Sequence, residues 1–164
     1  RWSRSNTGAA LVVGVIVTLV AVYFSAPSMM LGEIESPYGA KKTVEMIQER
    51  IPGLNKSQGT EWKNPGVKPL HKSIKKHGAG EIRPVYLVNL CEPNHAKEIL
   101  SEDDQKIVSV MMPCTVTVYE KSNGKAYIGH MNPGIMGRLF GGSVARVMGE
   151  VAEQQRRFYA FANQ

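Results

Sequence analysis

The chain has 164 residues, 43% of them hydrophobic and 21% charged, with a mean hydropathy of -0.20. That length allows one membrane segment plus one domain with a modest core, and that mean excludes a polytopic membrane protein. The net charge is +6, from 20 Lys and Arg against 14 Asp and Glu; there are two Cys, and no internal repeat or low-complexity tract.

The first organisational event is the uncharged run Gly8 to Ala26, GAALVVGVIVTLVAVYFSA. At ~1.5 Å per residue it reaches roughly 28 Å, close to the hydrocarbon thickness of a bilayer. Arg1 and Arg4 precede it, and Trp2 and Tyr23 suit the two interfaces. Positive charge before the span and none close behind it points the N-terminus to the cytoplasm. The expectation is a bacterial inner-membrane anchor over residues 1–27 and an extracytoplasmic, periplasmic domain over residues 28–164. A cleaved signal peptide is the rival reading. A cut after Ala26 would put Phe24 where a small residue normally stands, and Pro27 just past the cut.

Beyond the span, Met29 to Glu35 reads as a short strand. Ser36-Pro37 is a helix-start signal, and Val44, Ile47 and Ile51 recur at helical spacing until Pro52-Gly53. Asn55 to Pro69 is loop-like, and Leu70 and Ile74 suggest a short basic helix stopped by Gly78. Lys56, Lys63, Lys68, Lys72, Lys75, Lys76 and Arg83 make this stretch strongly basic, fit for anionic headgroups, an acidic partner or plain solvation. No nucleic-acid motif accompanies it. Pro84 to Leu90 is strand-like, Pro93 starts a helix, and Ile107 to Glu120 reads as a second long strand. Ser122-Asn123-Gly124-Lys125 is a hairpin signal, Ala126 to Met131 returns, and Pro133 opens a long final helix with Gly141-Gly142 as a bend or close-packing point.

With Asn123-Gly124 as a two-residue turn, Val118 would pair with Gly129 and Val116 with Met131. Strand alternation then puts Met112, Cys114, Val116, Val118 and Met131 on one apolar, core-facing side. Met111, Thr115, Thr117, Tyr119, Ile128 and His130 fall on the other.

The stretch Asn89 to Ala96, NLCEPNHA, carries the candidate chemistry. A c-type haem site reads C-x-x-C-H; here Cys91 and His95 keep that spacing and Asn94 replaces the second Cys. One reading is a single-thioether haem c on Cys91, with His95 as one axial ligand and a Met, such as Met131, Met111 or Met112, as the other. A second is copper on Cys91, His95, Cys114 and Met131, soft or borderline donors that suit Cu(I). A third is thiol chemistry: a disulfide between Cys91 and Cys114, or a thiolate favoured at Cys91 by a helix N-terminus. The fourth is no cofactor, with buried Cys and Met as packing residues and His95 as a cap. No hydrolase, kinase or dinucleotide-binding signature is present, and GRLFGG at Gly137 to Gly142 follows no phosphate-loop pattern.

Several strings from Gly78 to Met148 occur together in one order: Pro84-Val85, Cys91-x-Pro93-x-His95-Ala96, Met112-Pro113-Cys114, Val118-Tyr119-Glu120-Lys121, Gly124-Lys125, Met131-Asn132 and Gly141-Gly142. In this the chain resembles the bacterial and archaeal family known as domain of unknown function three hundred and two, over most of residues 29–155. It departs from the family pattern at Thr115, where an Arg is expected, and at His130. The resemblance implies an α+β fold, a curved antiparallel sheet with helices on one side, and a tendency to form homo-oligomers. It implies little chemistry.

The expectation is therefore a membrane-anchored accessory subunit rather than an enzyme. Its transmembrane helix would sit in the lipid bilayer against a membrane protein complex, respiratory or photosynthetic, which the outer domain braces. The alternative is a haem- or copper-binding redox protein using Cys91 and His95.

Overall fold

The computed structural model describes residues 4–163. The expected roles of Arg1, Trp2 and the Arg4 side chain lie outside what it describes. α1 (Arg4–Met30) is one helix that passes through Pro27 and ends three residues later than the predicted anchor. Its stretch Thr7–Met30 has a hydropathy of 2.5 and no buried residues, long and apolar enough to cross a membrane. Its hydroxyls are satisfied within the helix: Thr18 Oγ1 donates to the Gly14 carbonyl at 2.9 Å and Ser25 Oγ to that of Ala21 at 2.8 Å. Such back-bonding is what an apolar solvent demands.

The helix runs without a linker into β1 (Leu31–Glu35), and α2 (Ala40–Gln58) follows. Ser36 does not cap α2; its Oγ bonds Thr43 Oγ1 at 2.6 Å and accepts from the Tyr38 amide, while Gly39 takes the cap position. The expected stop at Pro52-Gly53 does not occur. The last turn is held from outside: Asn55 accepts from the Trp62 amide at 2.8 Å and donates to the Trp62 carbonyl at 2.9 Å. Gly59, at φ 65, then ends the helix.

The segment expected to be a loop holds β2 (Lys63–Pro69), and α3 (Leu70–Lys76) follows it. β2 is an edge strand with an irregular register between Lys63 and Gly66, which suits its two prolines. β3 (Val85–Cys91) leads into α4 (Pro93–Leu100). The predicted long strand from Ile107 is split: Asp103–Met111 is a 3-10 helix and β4 spans Cys114–Glu120. β5 (Ala126–Met131), α5 (Pro133–Arg138), α6 (Gly142–Phe158) and a 3-10 turn (Ala160–Asn163) complete the fold. The final helix is thus two helices, broken at Gly141 and Gly142, whose φ values are 70 and 51.

The five strands form one antiparallel sheet in the order β1-β5-β4-β3-β2. This is the α+β architecture expected, with a membrane-length helix leading into it. The hairpin register differs by one residue from the sequence expectation: Val118 pairs with Ile128 and Val116 with His130. The cause is the turn. The Lys121 amide bonds the Lys125 carbonyl and the Gly124 amide bonds Lys121, so Ser122 to Gly124 form a three-residue loop with Gly124 at φ 76. One residue of slip exchanges faces. Ile128 and His130 move to the covered side with Val116 and Val118, and Met131 moves to the open side with Thr117 and Tyr119.

The covered side forms the core. Val88, Leu90, Val116, Val118 and Ile128 meet Val44 and Ile47 of α2 and Val147, Met148 and Val151 of α6. Trp62, 2% exposed, packs edge-on against Phe158 at 5.2 Å between ring centroids. His130 stacks on Tyr159 at 5.0 Å, and Gly32 opposite leaves the ring its space.

Candidate functional site

β3 delivers Cys91 to the end of the sheet, next to Cys114 at the start of β4, since Leu90 pairs with Cys114. Glu92 then turns the chain into α4, and Pro93 occupies the first turn, where its missing N–H costs nothing. Glu92 is 5% exposed. Its carboxylate accepts from the His95 amide at 2.7 Å, the Glu61 amide at 3.1 Å and Asn94 Nδ2 at 3.1 Å. Burial pushes its pKa up, but these three hydrogen bonds together outweigh burial and hold the carboxyl below its ordinary value. Glu92, a spacer in the haem pattern, is the cap of α4, and Asn94, at the pattern's second Cys position, donates to its carboxylate.

His95 is also committed. Its Nε2 lies 3.1 Å from Gln154 Oε1, and that same oxygen accepts the Trp62 indole N–H at 2.9 Å. Because an indole can only donate, the shared atom is an acceptor, and His95 Nε2 must carry a proton. The other ring nitrogen, Nδ1, stands 3.9 Å from a Glu150 carboxylate oxygen and 4.0 Å from one of Glu92. The Trp62–Gln154–His95 chain ties the segment leading into β2 to α6 and α4.

Beneath this lies a small cavity of about 30 Å³ bordered by Cys91, His95, Met111, Met112, Cys114 and Met148. That is room for one water-sized guest. Cys91 and Cys114 are free thiols. Burial, then the nearby Cys91, pushes the Cys114 pKa up to about 11. Burial, then the Glu92 carboxylate, raises that of Cys91. Both run against the expected favoured thiolate at Cys91: burial acts first, and the Glu92 carboxylate at the helix N-terminus adds to it.

The expected ligand sets divide accordingly. Cys91, His95 and Cys114 border one cavity, and Met111 and Met112 join them. Met131 does not: it sits on the open face of the sheet, opposite Leu31, beside the end of α1. The haem set of Cys91, His95 and Met131 is therefore not brought together, and the cavity is far too small for a macrocycle. Among the described residues no three His, Cys, Asp or Glu side chains converge as a metal would require, so a copper ion here would need Met thioethers.

A second cluster escaped the sequence reading. On the open face Tyr119 stacks on Tyr127 at 6.1 Å, and the Tyr119 hydroxyl donates to Glu33. Lys121 Nζ also bonds Glu33 and lies 4.2 Å over the Tyr127 ring, and Lys125 pairs with Glu35 at 2.7 Å. Burial, then the Glu33 hydrogen bond, pushes the Tyr119 pKa up to about 12. Tyr119 and Tyr127 were visible as alternate strand residues; their meeting depended on the register. Of the basic side chains from Lys56 to Arg83, Lys63 and Lys68 lie on the edge strand β2 and Lys72, Lys75 and Lys76 on α3; they are partly paired, Lys63 with Glu61 at 2.9 Å and Arg83 with Glu120 at 3.0 Å.

No curated protein matches this chain. A solved structure, that of an uncharacterized conserved DUF302 protein from Bacillus stearothermophilus, superposes with a TM-score of 0.67 at 18% identity. The match covers 82% of this chain and 98% of that one, a likeness of fold. A family model, Domain of unknown function DUF302, matches residues 32–161, taking in the whole sheet except its first residue together with the capped Cys91–His95 turn, and the chain belongs to that family.

Proposed function

We propose that this protein is a membrane-anchored accessory subunit of a bacterial inner membrane, with its N-terminus cytoplasmic and its α+β domain docked on the outer face of a membrane complex. The observation that carries this reading is the junction at Met30 and Leu31. A fully exposed apolar helix passes straight into the edge strand of the sheet, and the Asn132 amide bonds the Met30 carbonyl at 2.8 Å. A domain fixed so closely to its anchor is suited to bracing a neighbour and poorly suited to diffusing at the end of a tether. The uncovered sheet face, with Tyr119, Tyr127, Glu33 and Lys121, offers aromatic and charged groups to that neighbour. A respiratory or photosynthetic electron-transfer complex is the partner class expected for this compartment. Purification of the full chain from native membranes in mild detergent tests it. Retention of a membrane complex, lost when α1 is exchanged for an unrelated span or when Tyr119 and Tyr127 are both changed to Ala, supports the reading. A partner-free chain sinks it.

A second reading rests on the sulfur atoms around the cavity. Two thiols and three thioethers border a space of atomic size, which suits a single Cu(I) ion better than any larger group. Competition with a chromophoric Cu(I) chelator tests it. Cys114→Ser should abolish binding, and Met131→Leu should leave it unchanged. Each thiol must lose its proton to bind, and Cys114 starts from about 11, so affinity should rise with pH through the neutral range.

A further inference from the structure

Among the described residues, six of the eight large apolar side chains exposed beyond Ala26 lie on segments that meet one end of the sheet. The antiparallel register puts the start of β1 at Leu31, the end of β5 at Met131, the start of β4 at Cys114 and the end of β3 at Leu90 and Cys91 together. α1 enters at this end. The connections that leave it or arrive there carry Ile107 and Val110 in the 3-10 segment before β4, and Leu139 and Phe140 after α5. These four are 67%, 83%, 77% and 50% exposed, and Met29 and Leu31 beside the anchor are exposed as well. Among the described residues the opposite end shows only Tyr38 and Ile82. The two connections meet, because Ser143 Oγ donates to Gln105 Oε1 at 3.0 Å, and α5 packs against α1.

We infer that Ile107, Val110, Leu139 and Phe140 form a rim that rests in the headgroup layer of the membrane crossed by α1, so that the domain sits on the bilayer in one orientation. The inference rests on α1 as a span. Its occupant follows from continuity: a surface at the end of the sheet where a membrane helix emerges faces lipid first. Isolated apolar side chains on a short loop, with the exposed Arg138 beside them, have the make-up of an interfacial contact. Lys106 pairs with Asp103, and Glu102 and Asp104 adjoin it in sequence, so nearby charge does not favour anionic lipid. Insertion of apolar side chains drives the contact.

The experiment uses the full chain in phosphatidylcholine nanodiscs with and without brominated acyl chains, in a Trp2→Phe background. Tryptophan is placed by Phe140→Trp and Val110→Trp in the rim, by Ile82→Trp at the far end and by Tyr23→Trp in the span; the buried Trp62 is a constant background. The expected result is blue-shifted emission and loss of intensity to bromine at positions 140, 110 and 23, with none at 82. Quenching at 23 alone, with solvent-like emission at 140 and 110, overturns the rim and leaves the anchor standing. No quenching at 23 removes the anchor and the rim with it. Blue-shifted but unquenched emission at 140 and 110 overturns lipid as the occupant in favour of a second copy or another protein.

Discussion

Glu92 organises the site more than Cys91 or His95 does. Its carboxyl titrates lower in the folded chain than in the unfolded one, where the value is ~4.3. Its charge therefore stabilises the fold above that pH, and the contribution is lost as pH falls through the lower folded value. Glu92→Gln should lower stability at neutral pH by ~1–3 kcal/mol and flatten the acid limb of a denaturation-midpoint profile against pH. Gln154→Ala strands the Trp62 indole N–H, a buried donor with no other partner, and should cost ~1–3 kcal/mol in urea unfolding. The raised thiol pKa values make a further expectation: alkylation of Cys114 by iodoacetamide should be slow at neutral pH and quicken as pH approaches about 11. At this scale the residue types were legible in the sequence and their roles were not. The string Cys-Glu-Pro-Asn-His announces its helix start through Pro93, but the Glu61 amide that donates to Glu92 and the Gln154 oxygen that accepts from His95 are remote in sequence.

Among the elements, α6 shows how tightly the helical layer is set. A Cβ on Gly137 would stand 2.5 Å from the Met148 Cβ and 3.2 Å from the Val144 carbonyl oxygen, whereas one on Gly149 meets nothing within 4 Å. Gly137→Ala should therefore destabilise by ~1–3 kcal/mol through overpacking of α5 on α6. Gly149→Ala should stabilise by about 0.5–1 kcal/mol through helix propensity. Chemical denaturation of the two variants side by side checks both signs. Periodicity exposed α2 and the apolar face of α6, because α2 carries a stripe of Val and Ile and α6 one of Val and Met. β2 stayed hidden, because Lys-Asn-Pro-Gly-Val-Lys-Pro has no strand pattern of its own and takes its pairing from β3. The hairpin was legible as a hairpin. Its loop length was not, and that one residue moved Met131 away from the cysteines.

For the molecule as a whole, the consequence of α1 is geometric. Because the helix leads directly into β1, the chain should remain in the membrane fraction after an alkaline carbonate wash, and a full chain that appears in the wash contradicts the anchor reading. The same junction puts α1 at one end of the sheet and the hairpin of β4 and β5 at the other. On the proposed reading a partner complex would meet the open face, which carries Tyr119 and Tyr127, and β2 lies at the sheet edge opposite β1, into which α1 leads.

The sequence by itself determined the membrane-length helix, the α+β class, the family resemblance and the identity of the sulfur-bearing residues, because uncharged length, periodicity and ordered motifs are local properties of a chain. The tertiary structure alone decided which of those residues share a cavity, which face Met131 takes, that His95 is bound by Gln154, and that the exposed apolar residues gather at the anchor's end. Those outcomes depend on register and on partners many residues away. A slip of one residue in a strand leaves its composition unchanged and exchanges its faces.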